Sequence, residues 1–251
     1  MSIFNDHRER IITGLALLAI VLVVGLIDNF YLMWLVFGAI YLIAFKEAMA
    51  LFDVKNDRAF VYAVGIWLLA GIYPYGDDLF VLAGIAYASA IAYNKDLEWK
   101  NFFPFIYPTA GMLFMFTMYQ EYHILSLLWL LVIVALTDIG AYAVGKTIGA
   151  TMFSQTSPNK TMEGVVGGVI VATLGGTLIG LYSFSFTAAI IISFVVSVAS
   201  IFGDLFESSL KRSANVKDSG VIFPGHGGML DRIDGYLFAS IVMLVLLRGL
   251  V

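Results

Sequence analysis

Long apolar runs separated by short polar connections dominate this chain of 251 residues and leave it few ways to fold. Hydrophobic residues make up 61% and charged residues 13%, about half the charged share of an ordinary soluble domain. The chain therefore reads as an integral membrane protein. In hydrocarbon every backbone N–H and C=O must be paired within its own segment or around a closed barrel. The runs are about helix length and do not alternate with period two, which selects helices. Nine candidate spans fall near 11–27, 30–45, 59–75, 79–93, 102–120, 123–145, 164–182, 185–203 and 233–250. The first follows NDHRER and lacks a small-x-small cleavage site after it, so it reads as an uncleaved span rather than a signal peptide.

The basic residues orient these spans. Thirteen of the fourteen Lys and Arg residues lie before the first span or in alternate connections: Arg8 and Arg10; Lys46, Lys55 and Arg58; Lys95 and Lys100; Lys146 and Lys160; Lys211, Arg212, Lys217 and Arg232. Only Arg248 falls on the other side. The positive-inside rule then predicts a cytoplasmic N-terminus. The expected architecture is an all-α polytopic membrane protein of about nine transmembrane helices, with a polar cavity facing the cytoplasm. Residues 1–120 read as an N-terminal scaffold of about five spans without buried charge. Residues 121–251 read as a catalytic region of about four spans that carries a charged stretch at 203–234. The absence of cysteine excludes disulfides, zinc–thiolate sites and cysteine nucleophiles.

That stretch, GDLFESSLKRSANVKDSGVIFPGHGGMLDRID, holds five carboxylates and four basic side chains between two apolar runs. Charge this dense belongs at the membrane surface or along a polar cavity. If the eighth helix continues past Gly203, then Asp204, Glu207, Ser208 and Lys211 share one face. Pro224, Gly225, Gly227 and Gly228 break any regular helix. PGHGG just before a helix is an arrangement that lets backbone amides approach a phosphate. Asp231 and Asp234 follow at i and i+3.

Two further segments carry polar chemistry. Asp138 lies well inside the sixth apolar run, where an ionisable residue marks function or a structural pair with a lysine such as Lys146. In SQTSPNKTMEG, Ser157-Pro158 suits a helix cap followed by the first helical position. This sets Lys160 and Thr161 near a helix N-terminus and leaves Glu163 to orient Lys160 or assist a metal. Gly164, Gly168, Gly176 and Gly180 form two GxxxG pairs suited to close helix packing. Carboxylates without thiolates favour Mg²⁺ over zinc, and cations beside them favour a polyphosphate substrate. Spacing alone thus leads to phosphoryl or nucleotidyl transfer, with an ion-coupled transporter using Asp138 as the alternative.

Ser209-Leu-Lys-Arg, then Lys217-Asp218-Ser-Gly, then Phe223-Pro-Gly-His-Gly-Gly-Met-Leu-Asp231-Arg-Ile-Asp234 resembles the signature of the phosphatidate cytidylyltransferases, or CDP-diacylglycerol synthases. Asp138-x-x-Ala-Tyr-x-x-Gly-Lys and Ser157-Pro-Asn-Lys-Thr-x-Glu-Gly agree with it. The resemblance implies transfer of CMP from CTP to phosphatidate in phospholipid synthesis. It implies Mg²⁺ as cofactor, with a second monovalent or divalent cation beside it, and a homodimer in the bacterial inner membrane with its active site facing the cytoplasm. Membrane lipid is the implied surrounding, and no nucleic acid is involved. The implied catalytic set is Asp204, Lys211, Arg212, Lys217, Asp218, His226, Asp231 and Arg232, with Asp204, Asp231 and Asp234 as metal ligands. The implied substrate-binding set is Asp138, Ser157, Asn159, Lys160, Thr161, Glu163, Ser209, Gly225, Gly227 and Gly228.

Overall fold

A computed structural model describes residues 19–94, 97–223 and 227–251. The start of the expected first span, the basic residues Arg8, Arg10 and Lys95, and Pro224, Gly225 and His226 of the glycine-rich loop lie outside the described residues. The described residues are helical, with only two isolated bridges, Met152 to Thr161 and Phe223 to Gly227. In order they form α1 (19–27), α2 (Phe30–Leu51), α3 (Asp57–Ala70), α4 (Gly76–Tyr93), a 3-10 turn (Trp99–Phe102), α5 (Phe103–Ile106), α6 (Thr109–Ile148), α7 (Met162–Gly180), α8 (Phe186–Ser213) and α9 (Leu230–Leu250).

Among the described residues, five helices are long and apolar enough to cross a membrane: α2, the stretch Trp99–Ile148, α7, α8 and α9. The third expected span is shorter than predicted. α3 has 14 residues and reaches about 21 Å, against roughly 30 Å of hydrocarbon. It stops at Gly71, ahead of Pro74, which disfavours helical backbone at Tyr73. Two other helices outrun their predicted ends. α2 continues through Lys46 and Glu47 to Leu51, a run of good helix formers. α8 continues to Ser213, so Asp204, Glu207, Ser208 and Lys211 do share one helix face. α6 is interrupted at His123, whose φ of 60° and ψ of −172° are not helical. The Ser126 hydroxyl lies there within hydrogen-bond reach of the carbonyls of His123 (2.7 Å) and Met118 (3.2 Å). Residues eight apart lie about 12 Å apart along a straight helix, so the chain turns sharply at this point.

The chain forms two compact units. One comprises the described residues up to Thr109 with Ala214–Arg232; the other comprises Ala110–Ser213 with Ile233–Val251. In the first unit α2 and α3 are pinned by two indoles: Trp34 Nε1 donates to the Trp67 carbonyl at 3.1 Å and Trp67 Nε1 to the Trp34 carbonyl at 3.0 Å. Gly38 and Gly71 leave room for the rings, since a Cβ on either would strike Trp67 or Trp34. The buried Tyr41 hydroxyl meets Thr109 Oγ1 at 3.0 Å.

In the second unit the small face of α7 lies on the backbone of α6. A Cβ on Gly164 would sit 2.7 Å from the Ala141 carbonyl, and one on Gly168 would sit 2.5 Å from that of Thr137. The two GxxxG pairs thus give the close packing their spacing predicts. The opposite face of α7 exposes Val166, Ile170, Leu174 and Leu178 at intervals of four, the surface a helix turns to lipid. α6 and α8 are joined by hydroxyl bonds, Thr137 to Ser197 at 2.8 Å, and by the Trp129 indole donating to Ser193 Oγ at 3.2 Å. Gly203 of α8 lies against α9, with room for no Cβ before the Asp234 carbonyl. That close crossing brings the carboxylates of the two helices near one another.

Candidate active site

The second unit gathers one set of charged groups. Lys160 Nζ forms an ion pair with Asp204 Oδ2, and Ser208 Oγ donates to Asp204 Oδ1 at 3.3 Å. Glu207, fully buried, is paired with Lys211 one turn along α8. Asp204, Asp138 and Lys211 all lie within electrostatic range of Asp234. Three of the residues singled out in the sequence thus gather around a fourth, and Lys160 joins them through Asp204. Lys146 is directed elsewhere: its Nζ donates to the Tyr142 hydroxyl at 3.3 Å and lies over that ring.

The segment before α7 departs from its expected form. The helix is capped by Thr161, whose Oγ1 accepts the Gly164 N–H at 3.2 Å, and not by Ser157 ahead of Pro158. Ser157 instead closes a turn through its carbonyl, which accepts the Lys160 N–H at 3.1 Å. The cap moves because residues 151–153 and 160–162 pair as a short ladder, Phe153 N–H to the Lys160 carbonyl and Met162 N–H to that of Thr151. Pairing holds Thr161 extended, as an N-cap must be. Glu163 Oε2 accepts the N–H groups of Ala150 and Thr151, both at 3.1 Å, and so fastens this ladder rather than orienting Lys160. Asn159 and Ser209 are exposed.

The first unit holds the rest of the signature. Asp231 Oδ2 accepts the Ser219 N–H (2.9 Å), the Ser219 hydroxyl (2.9 Å) and the Gly228 N–H (2.7 Å). A second carboxylate closes on the same loop. Glu47 Oε1 accepts the Met229 N–H at 2.9 Å; its Oε2 accepts the Leu230 N–H at 2.8 Å and the Ser219 hydroxyl at 2.9 Å. The hydroxyl has one proton and serves one carboxylate at a time. Glu47 is 8% exposed, so the scaffold does carry buried charge, contrary to the sequence expectation.

The glycines follow from this clamp. A Cβ on Gly228 would stand 2.5 Å from both Glu47 oxygens, and one on Gly227 would stand 2.5 Å from Asp231 Oδ2. Gly227 also has φ of +77°, which glycine adopts without strain. A Cβ on Gly220 would collide with Glu47 Oε1. Lys217, Asp218 and Arg232 are exposed around this loop, and Arg212 is exposed at the end of α8. Gly225 and His226 lie outside the described residues.

Glu47 is the residue that sequence reasoning missed. Its local signal is a carboxylate just past a long apolar run, one residue after Lys46. Burying a carboxylate costs several kcal/mol. Two backbone hydrogen bonds to a charged acceptor, roughly 1.5–3 kcal/mol each, with a share of the Ser219 hydroxyl, are of the size needed to offset that. The position also matters electrostatically. The C-terminal end of α2 disfavours an anion, whereas the N-terminus of α9, whose first N–H groups have no helical acceptor, favours one.

Among the described residues no three carboxylate or imidazole groups converge as a ready metal cage. Asp204 and Asp234 nonetheless offer oxygen donors of the kind Mg²⁺ takes. That ion keeps several waters and binds through one or two carboxylates plus substrate phosphates, so a sparse protein contribution fits it.

Helices of membrane-spanning length define an integral membrane protein, with charged groups gathered at the ends of α8 and α9. The chain belongs to the Cytidylyltransferase family, whose model matches residues 8–250. It is 40% identical over 244 residues to a phosphatidate cytidylyltransferase of Helicobacter pylori, covering 96% of this chain and 92% of that one. It is 31% identical to the enzyme of that name from Thermotoga maritima, over 98% of this chain and 99% of that one. A Bacillus subtilis phosphatidate cytidylyltransferase shares 42% identity over 123 residues, 47% of this chain and 46% of that one. The family model and the first two of these relatives match nearly the whole chain and leave the transporter alternative without support.

Proposed function

We propose that this protein transfers the cytidylyl group of CTP to phosphatidate, giving CDP-diacylglycerol and pyrophosphate in phospholipid synthesis. The observation that carries this reading is the match to phosphatidate cytidylyltransferases along nearly the whole chain, signature included. In the reaction a phosphate oxygen of phosphatidate attacks the α-phosphorus of CTP. The bond from that phosphorus to the bridging oxygen breaks, and pyrophosphate leaves with the electron pair. The second pKa of a phosphate monoester is near 6, so the nucleophile is mostly dianionic at neutral pH and needs no general base.

The protein's task is then to hold two polyanions together. Lys160 and Lys211, already set against carboxylates, and the exposed Arg212, Lys217 and Arg232 are the groups suited to neutralising phosphate oxygens. Asp204 and Asp234 would hold Mg²⁺, which when bound supplies positive charge at the transferring phosphoryl group. Asp231 orders the loop through the Ser219 and Gly228 N–H groups and the Ser219 hydroxyl it shares with Glu47. The basic-residue pattern supports a cytoplasmic active site in a bacterial inner membrane. Nine crossings and a homodimer complete the proposal.

The test is pyrophosphate release from CTP in detergent micelles, with and without phosphatidate and Mg²⁺, and with Asp231→Asn as comparison. Release that requires lipid, CTP and Mg²⁺ together, and is abolished by chelation and by the substitution, is expected. Release without phosphatidate, or none across several acyl chains and monovalent salts, would overturn the reading.

A further inference from the structure

We infer that Glu47 is a positioning residue for the signature loop: its carboxylate sets the start of α9, and with it Asp231, in the working geometry. The inference rests on the proposed function for its catalytic readout, and on geometry alone for the rest.

Glu47 reaches three points of one loop. It accepts consecutive backbone N–H groups, Met229 and Leu230, one on each carboxylate oxygen, and it also receives the Ser219 hydroxyl. Asp231 binds the same hydroxyl and adds the Ser219 and Gly228 N–H groups. Two carboxylates thus hold Ser219 and residues 228–230 from both sides. Neither neighbouring glycine can gain a side chain without striking one of them, so the loop's backbone is shaped around these oxygens. Asp231 cannot reach the loop in this way unless the first turn of α9 is fixed. The groups that fix it include the two N–H donors that Glu47 accepts.

A glutamate is required by the donor pattern. Both partners on the backbone are donors, so the side chain must present two acceptor atoms. Glutamine has the same size but presents an amide NH₂ in place of one oxygen, setting donor against donor at Met229 or Leu230. Aspartate keeps both oxygens on a shorter stem. Loss of one hydrogen bond to a charged acceptor shifts a local open–closed equilibrium by about ten- to a hundredfold.

The test uses the full chain in detergent micelles and reads two quantities separately. The first is hydrogen exchange at the Met229 and Leu230 amides, which needs no substrate. The second is phosphatidate-dependent pyrophosphate release per folded molecule, with kcat and KM resolved. Glu47→Gln is expected to speed exchange at these amides by about tenfold or more, and to lower kcat by a similar factor with KM for phosphatidate little changed. Glu47→Asp is expected to recover part of both. Tyr41→Phe, which removes a buried hydroxyl bond in the same unit, is expected to lower thermal stability and leave kcat per folded molecule unchanged. If Glu47→Gln does not fold, Ser219→Ala replaces it, with a smaller increase in exchange and a smaller loss of kcat expected. Wild-type exchange in the variants overturns the inference. So does a loss of activity that only tracks the loss of folded protein. Absence of activity in the wild type would strike the proposed function instead, while the exchange readout would still decide the clamp.

Discussion

The carboxylate of Glu47 accepts the backbone N–H of Leu230 at 2.8 Å, across 183 residues of sequence. One contact therefore ties the C-terminal end of the second helix to the first residue of the last. It gives residues 30–51, which carry none of the signature, a direct hold on residues that do.

Close approach of this carboxylate makes Gly228 intolerant of any side chain. Gly228→Ala would place a methyl group 2.5 Å from both Glu47 oxygens. Overpacking of this kind costs about 1–3 kcal/mol, so turnover should fall about tenfold or more in a pyrophosphate-release assay. Gly65→Ala is the comparison, because nothing lies within 4 Å of a Cβ there. It should leave turnover unchanged and raise thermal stability slightly, as alanine is the better helix former.

Lys160 and Asp204 should behave as a coupled pair. Asp204→Asn should lower turnover by about a hundredfold or more, since it removes both the partner of Lys160 and an oxygen donor suited to Mg²⁺. Lys160→Met should cost less. The double substitution should fall well short of the product of the two effects, as for residues in direct contact. Multiplicative losses would show that the pair acts independently.

Exposed cations of the loop should differ from those elsewhere. Lys217→Ala should raise KM for CTP about tenfold, the size of one lost charge-assisted contact. Lys55 pairs with Asp53 at 3.3 Å, both well exposed. Such a surface pair is worth roughly 0–1 kcal/mol, and Lys55→Ala should change KM less than about twofold. Equal small effects would remove Lys217 from phosphate binding.

Local patterning made much of the site legible. Asp204, Glu207, Ser208 and Lys211 share a face because they follow the helical repeat, and the glycine spacing of α7 anticipated its packing on α6. Local patterning failed where two residues could do the same job. Ser157 and Thr161 are both competent caps. Thr161 caps α7 because residues 151–153 pair with residues 160–162 and hold it extended. Glu163 was legible as polar and near Lys160, but its partners are the N–H groups of Ala150 and Thr151.

The sequence by itself determined a helical membrane protein, the charged stretch at 203–234 and the family. Hydropathy, helical period and motif spacing are properties of neighbouring residues. Only the tertiary structure decided that Glu47 is buried, that Gly220, Gly227 and Gly228 are shaped by carboxylate oxygens, and that the last helix begins on an anion from the second. Those outcomes depend on which backbone donors meet which acceptor across 183 residues. A carboxylate leaves water only where such donors are already gathered to receive it.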